Sequence, residues 1–267
     1  MRNLLKNEIY RLTKEKSSLV LLILAVVIPF FTVGMVVLVA RLAENMNPNI
    51  SIAPPFSSIF TADFSSNNTI LMIFFIIMIV GNSRDFSYGT IRNKIIAGYK
   101  RTHIYFAKQI ITIAFALILE VVYLLSDILF YSIFLGFETE IISNPFLYYL
   151  ELFIIGLLTI LVAVSFAQLL STLFIKTGKT ILMYFVFMLV YELIVETIIS
   201  SFIIQNDHEM IEQIYELQSW LPDVQATIYS TGDTSNNLLL KTVITSIVCI
   251  VGFNYFAINS LKRKEIK

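Results

Sequence analysis

Charged residues are scarce in this chain of 267 residues. Only 14% are Asp, Glu, Lys or Arg, whereas 57% are hydrophobic, and the mean hydropathy is +0.79. A soluble domain could not cover that much apolar surface, so the composition predicts a protein that lies in the lipid bilayer. The formal net charge is zero, which argues against nucleic acid as a partner.

Several chemical features are missing as well. The single cysteine, Cys249, excludes an intramolecular disulfide and a cysteine-rich metal site. The sequence contains no G-x-x-x-x-G-K-[ST] phosphate loop, so nothing in it is expected to cradle the phosphates of ATP. No spacing of Ser, His and Asp suggests a nucleophilic triad. We therefore expect neither an enzyme nor a bound cofactor in this chain. The first apolar run is too long for a cleavable signal peptide and lacks a small-residue cleavage site.

Long apolar stretches recur along the chain, and each can cross about 30 Å of hydrocarbon at about 1.5 Å per residue. They predict an all-α integral membrane protein, with one transmembrane domain over residues 1–267. Six transmembrane helices are predicted: 18–40, 64–83, 104–136, 146–175, 180–204 and 238–261. Pro29 is expected to kink the first helix, which neighbouring membrane helices tolerate.

Basic residues concentrate on one side of these predicted spans, because connections rich in Lys and Arg alternate along the chain with connections rich in Asp and Glu. One side holds 17 of the 19 Lys and Arg residues, and only Arg41 and Lys241 flank the other. Because basic residues favour the cytoplasm, both termini are predicted to be cytoplasmic, in a bacterial cytoplasmic membrane. The 17 residues are Arg2, Lys6, Arg11, Lys14, Lys16, Arg84, Arg92, Lys94, Lys100, Arg101, Lys108, Lys176, Lys179, Lys262, Arg263, Lys264 and Lys267.

The first predicted cytoplasmic segment, residues 1–17, has the pattern of an amphipathic helix. Leu5, Ile9 and Leu12 share one arc, and basic residues occupy the rest. The pattern predicts a surface helix that lies along anionic headgroups before the chain turns at Ser17 and Ser18. The alternative is a basic tether with no further role.

The second predicted cytoplasmic segment, residues 84–101, contains another short amphipathic helix. Thr90 suits its N-cap and Gly98 its carboxyl-terminal stop, while Gly89 permits a sharp turn before it. An apolar stripe lies between these ends: Ile91, Ile95, Ile96 and Tyr99. A rigid helix of this kind, joined at both ends to membrane helices, could seat its stripe in a groove on a partner and act as a coupling helix.

The residues from Asp85 to Asn93, followed by Ala97 to Arg101 and Lys108, resemble the cytoplasmic loop of type-2 ATP-binding-cassette (ABC) exporter permeases. The order of the predicted elements is similar over nearly the whole chain. One departure is Asp85, where the family more usually has Glu, which leaves the pairing of that carboxylate open. The resemblance implies contact with an ATPase through Asp85, Gly89, Thr90, Ile91, Arg92, Ile95, Ile96 and Arg101.

This resemblance also implies the partners. ATP and Mg²⁺ would bind two separate ABC ATPase subunits, and a second permease chain, identical or homologous, would complete the pathway. In size and character the chain is similar to the permeases that protect bacteria from lantibiotics, which implies a membrane-active or antimicrobial peptide as substrate. A lipid, a drug or an ion is the alternative substrate within this class.

Four acidic residues lie inside predicted spans and should point inward, because each costs about 2.5 to 3.5 kcal/mol near the bilayer centre. Glu120 and Asp127 share a face of the third span, and Glu192 and Glu196 share a face of the fifth. They could line the path of a cationic peptide, with Asp127 facing Glu196. Alternatively they serve packing alone, protonated or bonded to partners such as Gln168.

The predicted outer segment, residues 205–237, has apolar residues at helical spacing, and Trp220 could anchor it at the interface or line an outer mouth. His103 and His208 fall on opposite sides of the membrane in this topology, so they cannot share a metal ion.

A membrane-embedded enzyme could use the acids inside the predicted spans, but no paired His lies near them. A channel or sensor subunit would not need the coupling helix.

Overall fold

The computed structural model describes residues 1–46, 53–63, 69–137, 144–174, 176–203, 216, 219–221 and 236–263, and within these ranges it contains no β-strand. The helices are α1 (Arg2–Lys14), α2 (Lys16–Met46), α3 (Phe56–Asp63), α4 (Thr69–Ser87), α5 (Thr90–Ile96), α6 (Arg101–Phe134), α7 (Pro145–Leu173), α8 (Thr177–Ile203) and α9 (Asn236–Arg263).

Four helices in the described part are long and apolar enough to cross a membrane. They lie in α2, α6, α7 and α9, at Lys16–Ala43, Arg101–Phe134, Pro145–Leu173 and Leu238–Arg263. A fifth candidate joins Ile70–Phe86 to Thr90–Ile96 across a bend of 54°, and the apolar stretch Thr177–Tyr191 of α8 is shorter. The expectation of an all-α membrane protein is therefore confirmed, whereas six spans stay a prediction.

The first helix ends earlier than the expected surface helix. Glu15 has an extended backbone (φ −78°, ψ 121°), so α1 stops at Lys14 and α2 begins at Lys16. The Ser18 hydroxyl donates to the carbonyls of Leu12 and Glu15 and stabilises the turn between α1 and α2. The turn thus precedes Ser17 and Ser18, and Pro29 lies inside the continuous helix α2.

The expected coupling segment 84–101 is divided into three parts. Helix α4 continues to Ser87, α5 occupies Thr90–Ile96, and α6 begins at Arg101. Gly89, not Thr90, is the N-cap of α5, with a left-handed φ of 69° that glycine adopts without a Cβ clash.

Gly98 ends α5, as the sequence predicts. Its φ is 87°, its N–H donates to the Ile95 carbonyl at 2.9 Å, and the Tyr99 N–H donates to the Lys94 carbonyl at 3.2 Å. These two bonds form a Schellman motif, which satisfies the last carbonyls of the helix.

Helix α7 lies at the centre of the bundle and packs against α4, α6, α8 and α9, while α2 packs against α6. The main core joins α2, α4, α6, α7 and α8 through Leu21, Ala25, Ile70, Phe74, Leu119, Ile160, Val164 and Tyr184. Large apolar side chains are exposed along α2 and α9, including Phe31, Met35, Val248 and Phe256. Such surfaces suit contact with lipid rather than water.

The bundle has two distinct ends. We call the end that holds α1, α5 and the first turns of α6 the basic end, because Arg11, Lys94, Arg101 and Lys108 lie there. The opposite end holds α3, the last turns of α6 and the start of α7. Each end carries buried ionisable side chains, and these form the two candidate sites.

Candidate functional sites at the two ends of the bundle

At the basic end, α1 packs against α5 and α6. Leu4, Ile104 and Ala107 are buried together, and Leu5, Ile95 and Tyr99 pack around them. The buried arc of α1 therefore centres on Leu4 and Glu8, whereas Ile9, which was expected on the apolar arc, is half-exposed. Glu8 can be buried because Lys94 of α5, together with Arg11 of α1, compensates its charge.

Five charged side chains from four helices form what we call the basic-end network: Glu8, Arg11, Asp85, Lys94 and Lys108. Lys94 pairs with Glu8, and Arg11 contacts Glu8 at 3.1 Å. The Nη1 atom of Arg11 donates to both carboxylate oxygens of Asp85 at 2.8 Å, and Lys108 also pairs with Asp85. Asp85 therefore has two cationic partners, one from α1 and one from α6.

Four members of this network are largely buried; Arg11 is the exception, with 39% of its side chain exposed. Burial lowers the pKa of Arg11, but the carboxylates of Asp85 and Glu8 outweigh that effect and hold the pKa above its ordinary value. Removing one partner of a buried ion pair leaves an uncompensated charge, at a cost of about 3–5 kcal/mol. The network therefore fixes α5 relative to α1, α4 and α6.

The outward surface of α5 differs from the expected stripe. Ile91 is buried and Ile95 and Tyr99 pack inward, whereas the Ile96 side chain is 73% exposed and Tyr88, at the preceding turn, is 77% exposed. Arg92 is also exposed. We call Tyr88, Arg92 and Ile96 the exposed face of α5.

Arg101, the last of the residues implied by the resemblance, has a different position. Its Nη1 atom donates to the carbonyls of Leu261 and Lys262, at 2.8 and 2.9 Å. It therefore caps the carboxyl end of α9, where a cation is favourable.

Polar side chains continue from this network into the bundle. Tyr105 donates to Asn254 at 2.7 Å, Gln109 to Ser165 at 3.2 Å, and Asn82 to Ser171 at 3.0 Å. A cavity of about 30 Å³, with room for a water molecule, is lined by Asn82, Asp85, Lys94, Tyr105, Lys108, Gln168 and Ser171. The bonds join α4, α6, α7 and α9, and no sequence pattern assigned these pairings.

At the opposite end, Glu120 and Asp127 are buried on α6, with 1% and 7% of their surfaces exposed. They point inward, as expected. A third acid, Asp63, ends α3 and is 2% exposed. The carboxyl groups of Asp63 and Asp127 are hydrogen-bonded to each other, which requires a proton between them. We call Asp63, Glu120 and Asp127 the acidic cluster.

Helix α3 is held in place by apolar and aromatic contacts as well. It packs against α6 and α7, and the Phe56 ring contacts the rings of Phe137 and Tyr149, each with centroids 5.1 Å apart. Burial and the neighbouring carboxyl groups of Asp127 and Glu120 raise the pKa of Asp63 to about 10. No local sequence pattern singles out Asp63, because its partner Asp127 lies 64 positions away, on α6.

Other expectations fall on residues that the structure does not describe. The side chains of Glu192 and Glu196 lie outside the described part, as does His208, so the expected approach of Asp127 to Glu196 stays a prediction. Most of segment 205–237 is likewise not described. Lys241 of α9 lies 5.6 Å from the ring centroid of Trp220 and donates to Ser219 at 3.0 Å.

Among the described residues, no group of three or more His, Cys, Asp or Glu side chains is arranged to hold a metal ion. Comparison with family models, with curated proteins and with solved structures finds no match.

Proposed function

We propose that this chain is the membrane-spanning subunit of an ATP-driven exporter of the type-2 ABC class, with α5 as the element that a separate ATPase contacts. The observation that supports this most strongly is the fixation of α5. A helix of seven residues has little stability alone, yet Lys94 of α5 forms a buried ion pair with Glu8 of α1. The same network continues from α1 through Arg11 to Asp85 of α4, and from Asp85 to Lys108 of α6.

This arrangement suits the transmission of force. Lys94 joins α5 to Glu8 of α1, and α1 leads directly into α2. At its ends, α5 is joined by short turns to α4 and α6. A push on α5 would therefore act on α2, α4 and α6 together, as a motor that moves membrane helices requires.

The exposed face of α5 has the composition of a protein contact. Tyr and Arg are enriched among the residues that dominate the binding energy of protein–protein interfaces. Ile96 adds an exposed apolar side chain that a partner could bury. In this proposal the ATPase binds Tyr88, Arg92 and Ile96, not the stripe of Ile91 and Ile95, which packs within the chain itself.

The remaining parts of the proposal rest on the sequence. The asymmetry of basic residues supports six spans with both termini cytoplasmic, so the basic end faces the ATPase. A second permease chain, identical or homologous, and two ATPase subunits that bind ATP and Mg²⁺ complete the complex. The acidic cluster supports a cationic, membrane-active peptide as substrate; a lipid, a drug or an ion is the alternative.

Co-purification with a co-expressed ABC ATPase, chosen from the genes that neighbour this one, tests the contact. Ile96→Asp should place a charge in the interface and remove most of the bound ATPase, while membrane insertion is unchanged. Ile9→Asp is the matched control, because Ile9 is half-exposed at the same end of the bundle but lies on α1. Full retention of the ATPase by the Ile96→Asp variant would overturn the assignment of α5.

A further inference from the structure

The acidic cluster brings three buried carboxyl groups together. Glu120 and Asp127 lie seven residues apart on one face of α6, and Asp63 reaches them from α3. The neighbours that act electrostatically on Asp63 include both Asp127 and Glu120. Three ionised carboxylates in such a place would repel one another strongly, so the cluster retains a proton or takes up a cation.

One oxygen in the cluster is available to a ligand. Asp127 is more than nine-tenths buried, and its Oδ1 atom has no hydrogen-bond partner within the described ranges. A buried acceptor without a partner costs about 1–3 kcal/mol. A donor that entered the cluster would remove this penalty, which points to a ligand rather than to packing alone.

Two tyrosines border the same position. Tyr123 and Tyr131 lie four residues before and after Asp127 on α6, so they share its face. Both interact electrostatically with Asp127 and Asp63. Aromatic rings beside carboxylates attract cations through their faces. A primary ammonium group is compact and has three donors, which matches a cluster of carboxyl oxygens.

We propose that Asp63, Glu120 and Asp127 form a binding site for a primary ammonium group, which enters in exchange for the proton that Asp63 and Asp127 share. One ammonium cation enters and one proton leaves, so the net charge of the site does not change. The inference extends the proposed export function by naming the chemical group of the substrate. The amine site rests on the proposed export function only where the bound amine is taken to be part of the transported substrate.

The pH dependence of such a site involves every ionisable group around it. Asp63 packs through α3 against α6 and α7, and α6 also packs against α2, α4 and α9. In the described part, the ionisable groups on these elements toward this end of the bundle are Arg41, Glu120, Tyr123, Tyr131, Tyr148, Tyr149, Glu151 and Lys241. The proton that Asp63 and Asp127 share is the one that the ammonium group would displace.

The test is binding of dansylcadaverine, a fluorescent primary amine, to the purified full-length chain in phosphatidylcholine nanodiscs. The N-acetyl derivative of this probe lacks the cation and is the matched control ligand. We expect the affinity for the amine to rise with pH between about 6 and 8, by up to about tenfold per pH unit. Calorimetry in two buffers of different ionisation enthalpy should show the release of one proton per bound amine.

Two isosteric variants test the residues. Asp127→Asn and Asp63→Asn should each weaken binding by about tenfold or more and remove its pH dependence, whereas Glu216→Gln changes an exposed acid and should have no effect. Asp63 is the last residue of the short helix α3, so Asp63→Asn disturbs the long helices least. This variant therefore tests the site even if Asp127→Asn does not fold. Unchanged binding in a folded variant, or equal binding of the N-acetyl probe, would overturn the proposal.

The source of the amine is tested by the lipid. If phosphatidylethanolamine in the nanodiscs competes with the probe, the natural ligand is a lipid headgroup; without competition it is a soluble amine, such as a peptide side chain. These experiments need no ATPase. Failure of binding would therefore overturn this site alone, and loss of the ATPase contact would overturn the export function alone.

Discussion

Asp85→Asn should loosen the whole basic end of the bundle. In the structure one carboxylate faces two cations, Arg11 at 2.8 Å and the largely buried Lys108. The amide keeps the shape and one acceptor oxygen but removes the negative charge, so two cations lose their common counter-charge. Leaving a buried charge without its partner costs about 3–5 kcal/mol.

The remaining acids of this region provide a graded series. Glu8→Gln should cost less, about 2 kcal/mol, because Arg11 keeps Asp85 and only Lys94 loses its charged partner. Glu15→Gln should change stability by no more than about 0.5 kcal/mol, because Glu15 is exposed. The expected order is therefore Asp85, then Glu8, then Glu15.

Hydrogen exchange of backbone amides in nanodiscs measures these changes locally. A loss of 3 kcal/mol corresponds to more than about a hundredfold faster exchange in α5 and α1, since 1.4 kcal/mol is about tenfold. The amides of α9 serve as an internal control. If Asp85→Asn and Glu15→Gln gave the same exchange rates in α5, the buried network would not be what fixes this helix.

Three other predictions concern the turns, the orientation and helix α3. Gly89→Ala should lower the free energy of unfolding by about 1–2 kcal/mol, because a φ of 69° is unfavourable for alanine although a Cβ would meet no atom within 4 Å. Gly81→Ala, inside a helix, should be neutral or stabilising. Equal unfolding free energies for the two variants would refute this. In a variant without the native cysteine, Thr231→Cys should react with an impermeant thiol reagent on intact cells and Ile266→Cys should not; the reverse labelling would refute the orientation. Detachment of α3, measured by hydrogen exchange, should become easier as pH rises, because docked Asp63 binds a proton that the detached side chain releases. The free energy of detachment should fall by up to about 1.4 kcal/mol per pH unit between the ordinary pKa of a carboxyl group and a pH of about 10. Asp63→Asn should lose this pH dependence, and native exchange rates that showed none after correction for the intrinsic rate would contradict the prediction.

The sequence predicts what depends on local pattern. Apolar runs of sufficient length predict α2, α6, α7 and α9, because hydropathy and helical rise decide whether a segment can cross a membrane. The stop at Gly98 is also local, because a positive φ at one residue ends α5. The inward position of Glu120 and Asp127 follows from the cost of exposing a carboxyl group to lipid.

What depends on distant pairs could not be predicted. Glu8 is buried only because Lys94, 86 positions away, compensates its charge, and a helical pattern alone assigns a glutamate to the exposed side. Ile96 belongs to the same periodic stripe as Ile91, but α1 and α6 cover only part of that stripe. The docking of α3, which brings Asp63 to Asp127, likewise depends on tertiary contacts that no local pattern records.

Site-specific cross-linking tests the proposed ATPase contact most directly. A cysteine introduced by Ile96→Cys into a variant without the native cysteine should form a cross-link with the co-expressed ABC ATPase in membranes, and ATP hydrolysis should fall when the link forms. Ile9→Cys, at a half-exposed position on α1, should give no such cross-link. Cross-linking from position 9 but not from position 96, or from neither position although the two proteins co-purify, would contradict the account.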